Sequence, residues 1–430
     1  MVKSGVRCWS YPALAVVIVV LQSMRRADLL TNPQFWAEDG TIFFFGQLVH
    51  GTWASMIAPY AGYLLLIPRL VAALATLFPP HYAPLIYNLA ALVIDALCCS
   101  LFVLPCFRHL LQSDAARAIL CLFLAGGIFA DELVGTLTGV QWFLIVAILL
   151  ILALPEGTGN PALYFAAAFC LAAGLSSGLV MLLAPVAALR IWRTPGRTAW
   201  PAVALLLSAV VQLLVLLTIP NPDRVEPVTG VAQIATSTAI AFTYRAVIGA
   251  LIGSYRAVRL ADRDSLSLTL AVLACMGGWL AALWVTGSRE RSGQLAVCAY
   301  VALAIIASAM SLRALAPRFM PGAEMSPRDE RYFLPGAILF AYWIAVSLER
   351  WLPGVASPLR AALLALALGA GAIANYRIPP FPDYHWRETA PAVDRWVSDT
   401  RAHRPAQAVE FAIDPPPYVV VLPGTPGAAR

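Results

Sequence analysis

The sequence has little charge and almost no lysine. Only 12% of its 430 residues are charged, whereas 60% are hydrophobic. A soluble domain carries about 25% charged residues, so this composition excludes an ordinary soluble protein and predicts a membrane protein with several spans. Lys3 is the single lysine among 29 basic residues, and the arginines form no run long enough for a nucleic-acid-binding tail. We therefore expect no nucleic-acid partner.

The eight cysteines lack the spacing of a metal site, and all of them lie in or beside apolar segments. They are predicted to be free, buried thiols. The apolar segment after Lys3 and Arg7 lacks a small-residue cleavage pattern and is followed by Arg25 and Arg26. This pattern predicts an uncleaved first helix rather than a signal peptide.

A membrane span needs about 20 consecutive apolar residues. Full-length candidates are 82–105, 199–219, 265–286 and 294–312. Shorter or interrupted candidates are 12–24, 117–130, 141–154, 162–174, 175–192, 332–348 and 359–374. The sequence therefore predicts an all-α integral membrane protein with about eleven transmembrane helices, placed in the inner (plasma) membrane.

The loops between these segments are unequal in length. With the N-terminus in the cytoplasm, the long loops are external and the short, arginine-bearing turns are cytoplasmic, as the positive-inside rule requires of short loops. The predicted external segments are 25–81, 131–140, 220–264, 312–331 and 375–430. We expect a membrane domain over 1–375 and a small extracytoplasmic tail over 376–430, which packs on that domain because it is too small for a core of its own.

Two external segments contain further apolar stretches. In the first loop, 25–81, residues 59–80 are interrupted by Pro68 and Arg69 and predict a helix lying on the membrane surface. In the second, 220–264, residues 230–252 predict an amphipathic or re-entrant helix that carries Arg245. The tail has a helical stretch and a short strand-like run, YVVVLP.

Two adjacent carboxylates, Glu38 and Asp39, lie just after the first apolar segment, in the aromatic stretch Phe35–Gly40. An acid at mid-bilayer costs about 2.5–3.5 kcal/mol, and even at the interface such a pair needs partners or a function. Asp39 is positioned to act as the N-cap of a helix over 41–49. A salt bridge from Glu38 to Arg25 or Arg26 is the structural alternative to a catalytic role.

Further charges occur at the ends of spans or inside apolar stretches. Asp131 and Glu132 precede Thr138, Gln141 and Trp142, and Arg331 and Tyr332 begin a late span. Arg69 and Arg245 lie within apolar stretches, where an unpaired charge is costly. Asp95 lies deep in the span 82–105, where the structural alternative to a proton path is a hydrogen bond to a neighbouring helix.

These features resemble the GT-C glycosyltransferases, integral-membrane enzymes that transfer a sugar from a polyprenyl-phosphate donor on the non-cytoplasmic face. The resemblance rests on the acidic pair Glu38-Asp39 within a Trp-x-Glu-Asp-Gly element, the Pro-Tyr-x-Gly-Tyr and Pro-Arg stretch 59–69, Asp131-Glu132, and the Arg-Tyr-Phe-Leu-Pro that starts at Arg331. Known members often have Asp-Asp or Asp-Glu at the first site. The reversed order here leaves open which carboxylate is the base, with a slight preference for Asp39, because its counterpart is more often the base in similar sequences.

The resemblance implies an inverting transfer to a glycan or lipid acceptor of the cell envelope. Glu38 and Asp39 would be catalytic, and Glu132, Arg69, Arg245, Arg331 and Tyr332 would bind substrate. Asp39 and Glu132 are also tentative oxygen ligands for Mg²⁺ or Mn²⁺. The rival interpretation is a transporter or flippase for a lipid-linked or small polar substrate, with Asp95 on its path. A non-catalytic envelope assembly protein would tolerate loss of the acidic pair.

Overall fold

The computed structural model of the protein describes residues 10–128, 132–219, 230–261, 265–286, 289–312, 315–319 and 330–425. Helices account for most of these residues. The helical sequences are rich in alanine and leucine, which lose little side-chain freedom in a helix and bury no polar group.

The first part of the chain consists of one long helix and a series of short ones. They are α1 (Ser10–Arg25), α2 (Asp28–Thr31), a π-helix (Asp39–Phe44) that runs into α3 (Phe45–Val49), α4 (Thr52–Ile57) and α5 (Leu66–Ala75). The surface helix predicted over 59–80 is therefore shorter, since a turn at Tyr60–Tyr63 precedes α5.

The middle of the chain follows with longer helices joined by short 3₁₀ turns. The α-helices are α6 (Ala83–Ser100), α7 (Asp114–Gly126), α8 (Val140–Leu152), α9 (Asn160–Gly174), α10 (Val180–Arg193) and α11 (Trp200–Thr218). The 3₁₀ turns are Pro80–Tyr82, Leu101–Val103, Pro105–His109 and Arg197–Ala199.

The last part contains helices and one hairpin. The helices are α12 (Val231–Ala241), a second π-helix (Phe242–Ile248), α13 (Gly249–Ile252), α14 (Ser254–Ala261), α15 (Ser265–Thr286), α16 (Arg289–Leu312), α17 (Leu334–Trp351), α18 (Ser357–Tyr376) and α19 (Trp386–Arg401), with 3₁₀ turns at Ala316–Phe319 and Glu330–Phe333. Strands β1 (Val409–Ala412) and β2 (Val419–Leu422) pair antiparallel, with Val409 opposite Leu422.

Six helical segments of the described chain are long and apolar enough to cross a membrane. They are Pro80–Val103, Arg197–Thr218, Val231–Ile252, Gly293–Leu312, Glu330–Trp351 and Ser357–Tyr376. Shorter apolar helices add Tyr11–Arg25, Leu66–Ala75, Val140–Leu152, Asn160–Gly174 and Leu266–Ala282. The protein is thus an all-α membrane protein by its helices, while the count of eleven spans and the GT-C arrangement stay predictions.

Residues 230–252 differ from the amphipathic or re-entrant element that their Ser, Thr, Gly and Arg245 led us to expect. The helix is continuous over Val231–Ile252 and is mostly packed inside the protein. Arg245 lies in its π-helical part, and such wider turns are often found at functional sites. By length and composition this helix qualifies as a span, whereas its predicted place in an external segment stays a prediction.

The tail packs on the first loop through specific contacts. The backbone N–H of Ala37 donates to the carbonyl of Asp414 at 2.6 Å. The ring of Trp386 meets that of Phe35 edge-on at 5.1 Å, and His81 contacts Asp394 at 2.7 Å. The predicted helix and strand are both present, as α19 and β2. These contacts hold the backbone that leads into the acidic pair.

Candidate functional site at the acidic pair

Asp39 joins the first loop to the segment before α8. Its carboxylate accepts hydrogen bonds from the backbone N–H of Leu137 at 2.9 Å and of Thr138 at 3.0 Å, and from the Thr138 hydroxyl at 2.9 Å. Asp39 is only 1% exposed. It is the first residue of the π-helix, and no side chain caps that helix. The expected N-cap role is wrong, because the carboxylate turns to unpaired N–H groups of another segment.

Burial makes the Asp39 carboxyl an unusually weak acid. Loss of solvent raises the pKa of its carboxyl from 3.8 to about 7, against the three hydrogen bonds that lower it, and the nearby charge of Glu38 raises it further. Asp39 lies outside the candidate spans. A carboxyl that changes charge near neutral pH is suited to proton transfer, and such shifts concentrate at functional sites.

The same shift makes protein stability depend on pH. The raised pKa means that the folded state holds the Asp39 proton more tightly than the unfolded state, so stability should fall as pH rises from about 4 to about 7. The rise to about 7 corresponds to roughly 4 kcal/mol over that window. We expect the melting temperature of the wild type in detergent to fall between pH 5 and pH 8. In Asp39→Asn this fall should be smaller; an equal fall in both proteins would contradict the assignment.

Glu38 has different surroundings from its neighbour. It is half-buried, and it accepts a hydrogen bond from the Tyr60 hydroxyl at 3.1 Å. Burial raises the pKa of Tyr60 above its ordinary value, and the charge of Glu38 raises it further, so the hydroxyl keeps its proton and remains a donor. The salt bridge to Arg25 or Arg26, the structural alternative to a catalytic role, is not formed. Arg25 donates to helix-end carbonyls, and Arg26 pairs with Asp28 at 2.9 Å.

The turn before α5 aims Tyr60 at Glu38. Tyr60 and Tyr63 exchange backbone hydrogen bonds of 2.8 and 3.1 Å. The two residues between them have positive φ angles, 52° at Ala61 and 85° at Gly62. Such angles are typical of tight hairpin turns with glycine. The Pro-Tyr-x-Gly-Tyr sequence therefore has a positioning role beside the acidic pair.

Gly40 is required by the close approach of the tail. A Cβ atom at this position would lie 2.7 Å from Ile413 Cδ1 and 3.2 Å from Val420 Cγ2. Real Cβ atoms essentially never come that close, so a larger residue would require the Ile413 side chain or the hairpin to shift. The glycine of the Trp-x-Glu-Asp-Gly element thus allows the tail to cover the helix that begins at Asp39.

Glu132 and Arg331 form an ion pair of 2.6 Å. Glu132 lies shortly before Leu137, on the segment that binds Asp39, and the Thr136 hydroxyl donates to its carbonyl at 2.9 Å. The Arg331 guanidinium lies over the Tyr332 ring at 5.1 Å, and that ring packs edge-on against Trp142 at 5.1 Å. The structure therefore connects the two acidic sites and Arg331 through one short segment.

Arg69 is buried in α5, close to the helix that starts at Asp39. It is 2% exposed, and its guanidinium lies 5.7 Å from the ring of Phe43. Among the described residues its side chain makes no hydrogen bond or ion pair, and Nε is buried without a partner. Buried cations are almost always paired. Arg69 is thus a candidate for an anion that comes from outside the chain.

Arg245 differs from Arg69 because it has a buried partner. Its guanidinium pairs with Glu330 at 2.7 Å, and both side chains are essentially without solvent contact. The sequence reasoning missed Glu330, which directly precedes Arg331, because nothing in a sequence pairs residues so far apart. The role of Arg245 in binding substrate stays a prediction. Its ion pair with Glu330 links the second π-helix to the turn before α17.

The carboxylates are engaged by hydrogen-bond donors rather than arranged for a metal ion. Among the described residues no group of three or more His, Cys, Asp and Glu could hold one. A cation at Asp39 would have to displace two N–H groups and a hydroxyl, and at Glu132 it would compete with Arg331. The tentative Mg²⁺ or Mn²⁺ site at Asp39 and Glu132 stays a prediction. Asp131 lies outside the described residues.

Comparison with known proteins gives no match: no family model, no curated protein and no solved structure is significantly similar to this chain.

Proposed function

We propose that the protein is an inverting glycosyltransferase that moves a sugar from a polyprenyl-phosphate donor to an acceptor hydroxyl at the membrane surface. The observation that carries this proposal is the connection of acids and cations around one segment. Asp39 binds Leu137 and Thr138, and Glu132 of the same segment pairs with Arg331. Sugar transfer needs a carboxylate to take the proton of the acceptor and a nearby cation to stabilise the departing phosphate.

The chemistry assigns a separate role to each charge. The acceptor oxygen attacks the anomeric carbon while a carboxylate takes the hydroxyl proton. The bond from the anomeric carbon to the phosphate oxygen breaks, and its electron pair leaves with the polyprenyl phosphate. Cations stabilise the negative charge that develops on this leaving group. Because the donor lipid lies in the bilayer, such a site belongs at the membrane interface.

Glu38 is the carboxylate better placed to touch an acceptor. It keeps some solvent exposure and has one donor, Tyr60, whereas all three hydrogen bonds of Asp39 tie it to the protein. We therefore assign the base to Glu38, and we assign to Asp39 the positioning of the loop against Leu137 and Thr138. This choice departs from the slight preference for Asp39 that the resemblance to GT-C enzymes gives.

Arg331 is the cation that we assign to the donor phosphate. Its side chain is 31% exposed, whereas that of Arg245 is fully buried. Arg331→Gln should lower kcat/KM for the polyprenyl-phosphate sugar by about 10²–10³, as loss of one charge-stabilising donor does. The acceptor KM should change little. The assay is transfer of labelled sugar in liposomes that contain the purified full-length protein.

The Glu132–Arg331 pair supplies the control. Glu132→Gln removes the same ion pair but keeps the cation, so it should cost far less activity than Arg331→Gln. Arg331→Lys keeps a positive charge at this position, so it should retain more activity than Arg331→Gln. If both Gln variants lost activity equally, the pair would be structural and the phosphate role would be wrong. If the wild type transferred no sugar from any polyprenyl-phosphate donor tested, the proposed function itself would fail.

Asp95 favours a second candidate, a transporter. It lies within the span Pro80–Val103, is fully buried, and neither carboxylate oxygen has a hydrogen-bond partner among the described residues. The expected hydrogen bond to a neighbouring helix is wrong. An unpartnered intramembrane acid is costly and often marks a proton path. Substrate uptake by proteoliposomes that is lost in Asp95→Asn and kept in Glu38→Gln would favour the transporter.

A further inference from the structure

A second site lies away from the acidic pair, in a cavity of about 520 Å³. Ligand pockets typically measure about 300–1,000 Å³. Its walls come from α7, α8, α10, α16 and α17, and its deep part is largely apolar. Representative lining residues are Leu124, Val146, Leu150, Val297, Ile338 and Leu339. None of the residues assigned to sugar transfer lines this cavity.

The polar end of the cavity is at the opposite end of α8 from Asp39. The segment that binds Asp39 ends at Thr138, directly before α8, whereas Ala153–Glu156 follow α8 and line the cavity. The thirteen residues of α8 span about 20 Å. The polar end of the cavity and the acidic pair are therefore separated by about the length of α8.

The polar end carries more positive than negative charge. Among the described residues that line it, Arg190 and Arg193 are cationic and Glu156 is the one acid, and His109 lies beside them. Arg190 donates to the Leu154 carbonyl at 2.6 Å. Arg193 is exposed, and its guanidinium makes no hydrogen bond or ion pair with another described residue. An anion can reach this cation without displacing a partner from the described chain.

His109 also lines this end of the cavity, and two backbone carbonyl oxygens lie close to its ring. Its Nδ1 lies 2.7 Å from the Cys106 carbonyl oxygen, and its Nε2 lies 3.0 Å from that of Ala153. A carbonyl oxygen accepts but does not donate. A ring nitrogen that carries a proton therefore donates to the carbonyl it faces, and these contacts fix the orientation of the His109 ring.

Exposed aromatic residues at this end indicate the depth of lipid headgroups. Trp192, which precedes Arg193, is 79% exposed, and Trp200 lies on the surface where it packs against Tyr164 at 4.9 Å. Tryptophan and tyrosine concentrate at the membrane–water interface, because one part of the ring system is apolar and the other polar. The cationic end of the cavity thus lies at headgroup level, and the apolar part extends toward the bilayer centre.

We infer that the cavity binds an anionic phospholipid, with one acyl chain in the apolar part and the phosphate at Arg190 and Arg193. A soluble anion would leave the apolar lining unfilled, and a zwitterionic lipid would gain less from the excess of positive charge. The bilayer itself supplies the ligand. This inference does not depend on the sugar-transfer proposal, since the two sites share none of the residues named for them.

The test uses the full-length protein in phosphatidylcholine nanodiscs. Each sample receives a small fraction of phosphatidylglycerol or phosphatidylcholine that bears the same photoreactive diazirine at the end of one acyl chain. After irradiation, peptides are mapped by mass spectrometry. We expect phosphatidylglycerol to label α8 and α16, in the peptides that contain Val146 and Val297, well above phosphatidylcholine.

Two variants and two matched controls make this test specific. Arg193→Ala should reduce the preference for phosphatidylglycerol roughly fivefold, the usual effect of one basic residue at an anionic membrane surface. Val146→Phe narrows the apolar part of the cavity and should reduce labelling inside it. Arg197→Ala removes an exposed arginine of the next turn, and Val203→Phe enlarges an exposed residue of α11; neither lines the cavity, so neither should change labelling.

Three outcomes would overturn the inference. Equal labelling by both lipids would remove the anionic requirement, and labelling that persists in both Val146→Phe and Leu339→Phe would place the lipid elsewhere. Displacement of the phosphatidylglycerol probe by an equimolar amount of polyprenyl phosphate would assign the cavity to that lipid instead.

Discussion

Glu38→Gln is expected to lower the rate of sugar transfer by about 10²–10⁴, the usual contribution of a general base. The substitution keeps the size of the side chain, and its amide oxygen can still accept the Tyr60 hydrogen bond. Only the ability to take a proton is lost. The measurement is kcat for transfer of labelled sugar in liposomes, with the amount of folded protein fixed by size-exclusion chromatography.

Three further variants separate a base from a positioning residue. Glu410→Gln makes the same chemical change at an exposed position of β1 and should leave kcat unchanged. Tyr60→Phe removes a hydroxyl that donates to Glu38 and should cost less than Glu38→Gln, because the carboxylate remains. Asp39→Asn should also lower activity, since an amide cannot accept all the hydrogen bonds that Leu137 and Thr138 donate.

The dependence of kcat/KM on pH distinguishes the two acids. If Asp39 were the base, activity would rise through its pKa of about 7 and this limb would vanish in Asp39→Asn together with nearly all activity. If Asp39 only positions the loop, Asp39→Asn should lose less activity than Glu38→Gln. Full activity in Glu38→Gln would refute the assignment of the base.

The spans were the easiest feature to predict from the sequence, because their signal is local. Residues 82–105 correspond to Pro80–Val103 and residues 199–219 to Arg197–Thr218. The strand predicted in YVVVLP is present and corresponds to β2. Its partner β1 was not predicted, since four residues that include Glu410 carry little apolar signal. A span can be predicted from the length and hydrophobicity of one segment, whereas the pairing of two strands depends on residues in two segments.

Side-chain partners were harder to predict for the same reason. The sequence marks Glu38 and Asp39 as costly charges, but Asp39 binds residues almost a hundred positions away. The sequence favoured a hydrogen bond from Asp39 to the start of its own helix, whereas in the fold its carboxylate binds Leu137 and Thr138. Arg25 shows the same effect, since the unpaired carbonyls at helix ends attract it more than a carboxylate on the next loop does.

Removing one member of the ion pair between Arg245 and Glu330 should have one of the largest effects on stability that can be tested. The 2.7 Å pair joins the second π-helix to the start of the span Glu330–Trp351, with both side chains shielded from water. Removing one member of such a pair leaves a buried charge without its counterion, which typically costs about 3–5 kcal/mol. We therefore expect Glu330→Gln and Arg245→Met each to lower the melting temperature in detergent markedly.

The double variant Arg245→Met/Glu330→Met provides the decisive comparison. Replacing both members of a buried pair with apolar residues is often neutral or stabilising, because the desolvation of two charges is avoided. We expect the double variant to melt close to the wild type and to retain sugar transfer. A stable but inactive double variant would show that Arg245 contacts substrate, as its place in an apolar stretch first led us to predict. A double variant as unstable as the single ones would show that the side chains matter for packing rather than for charge.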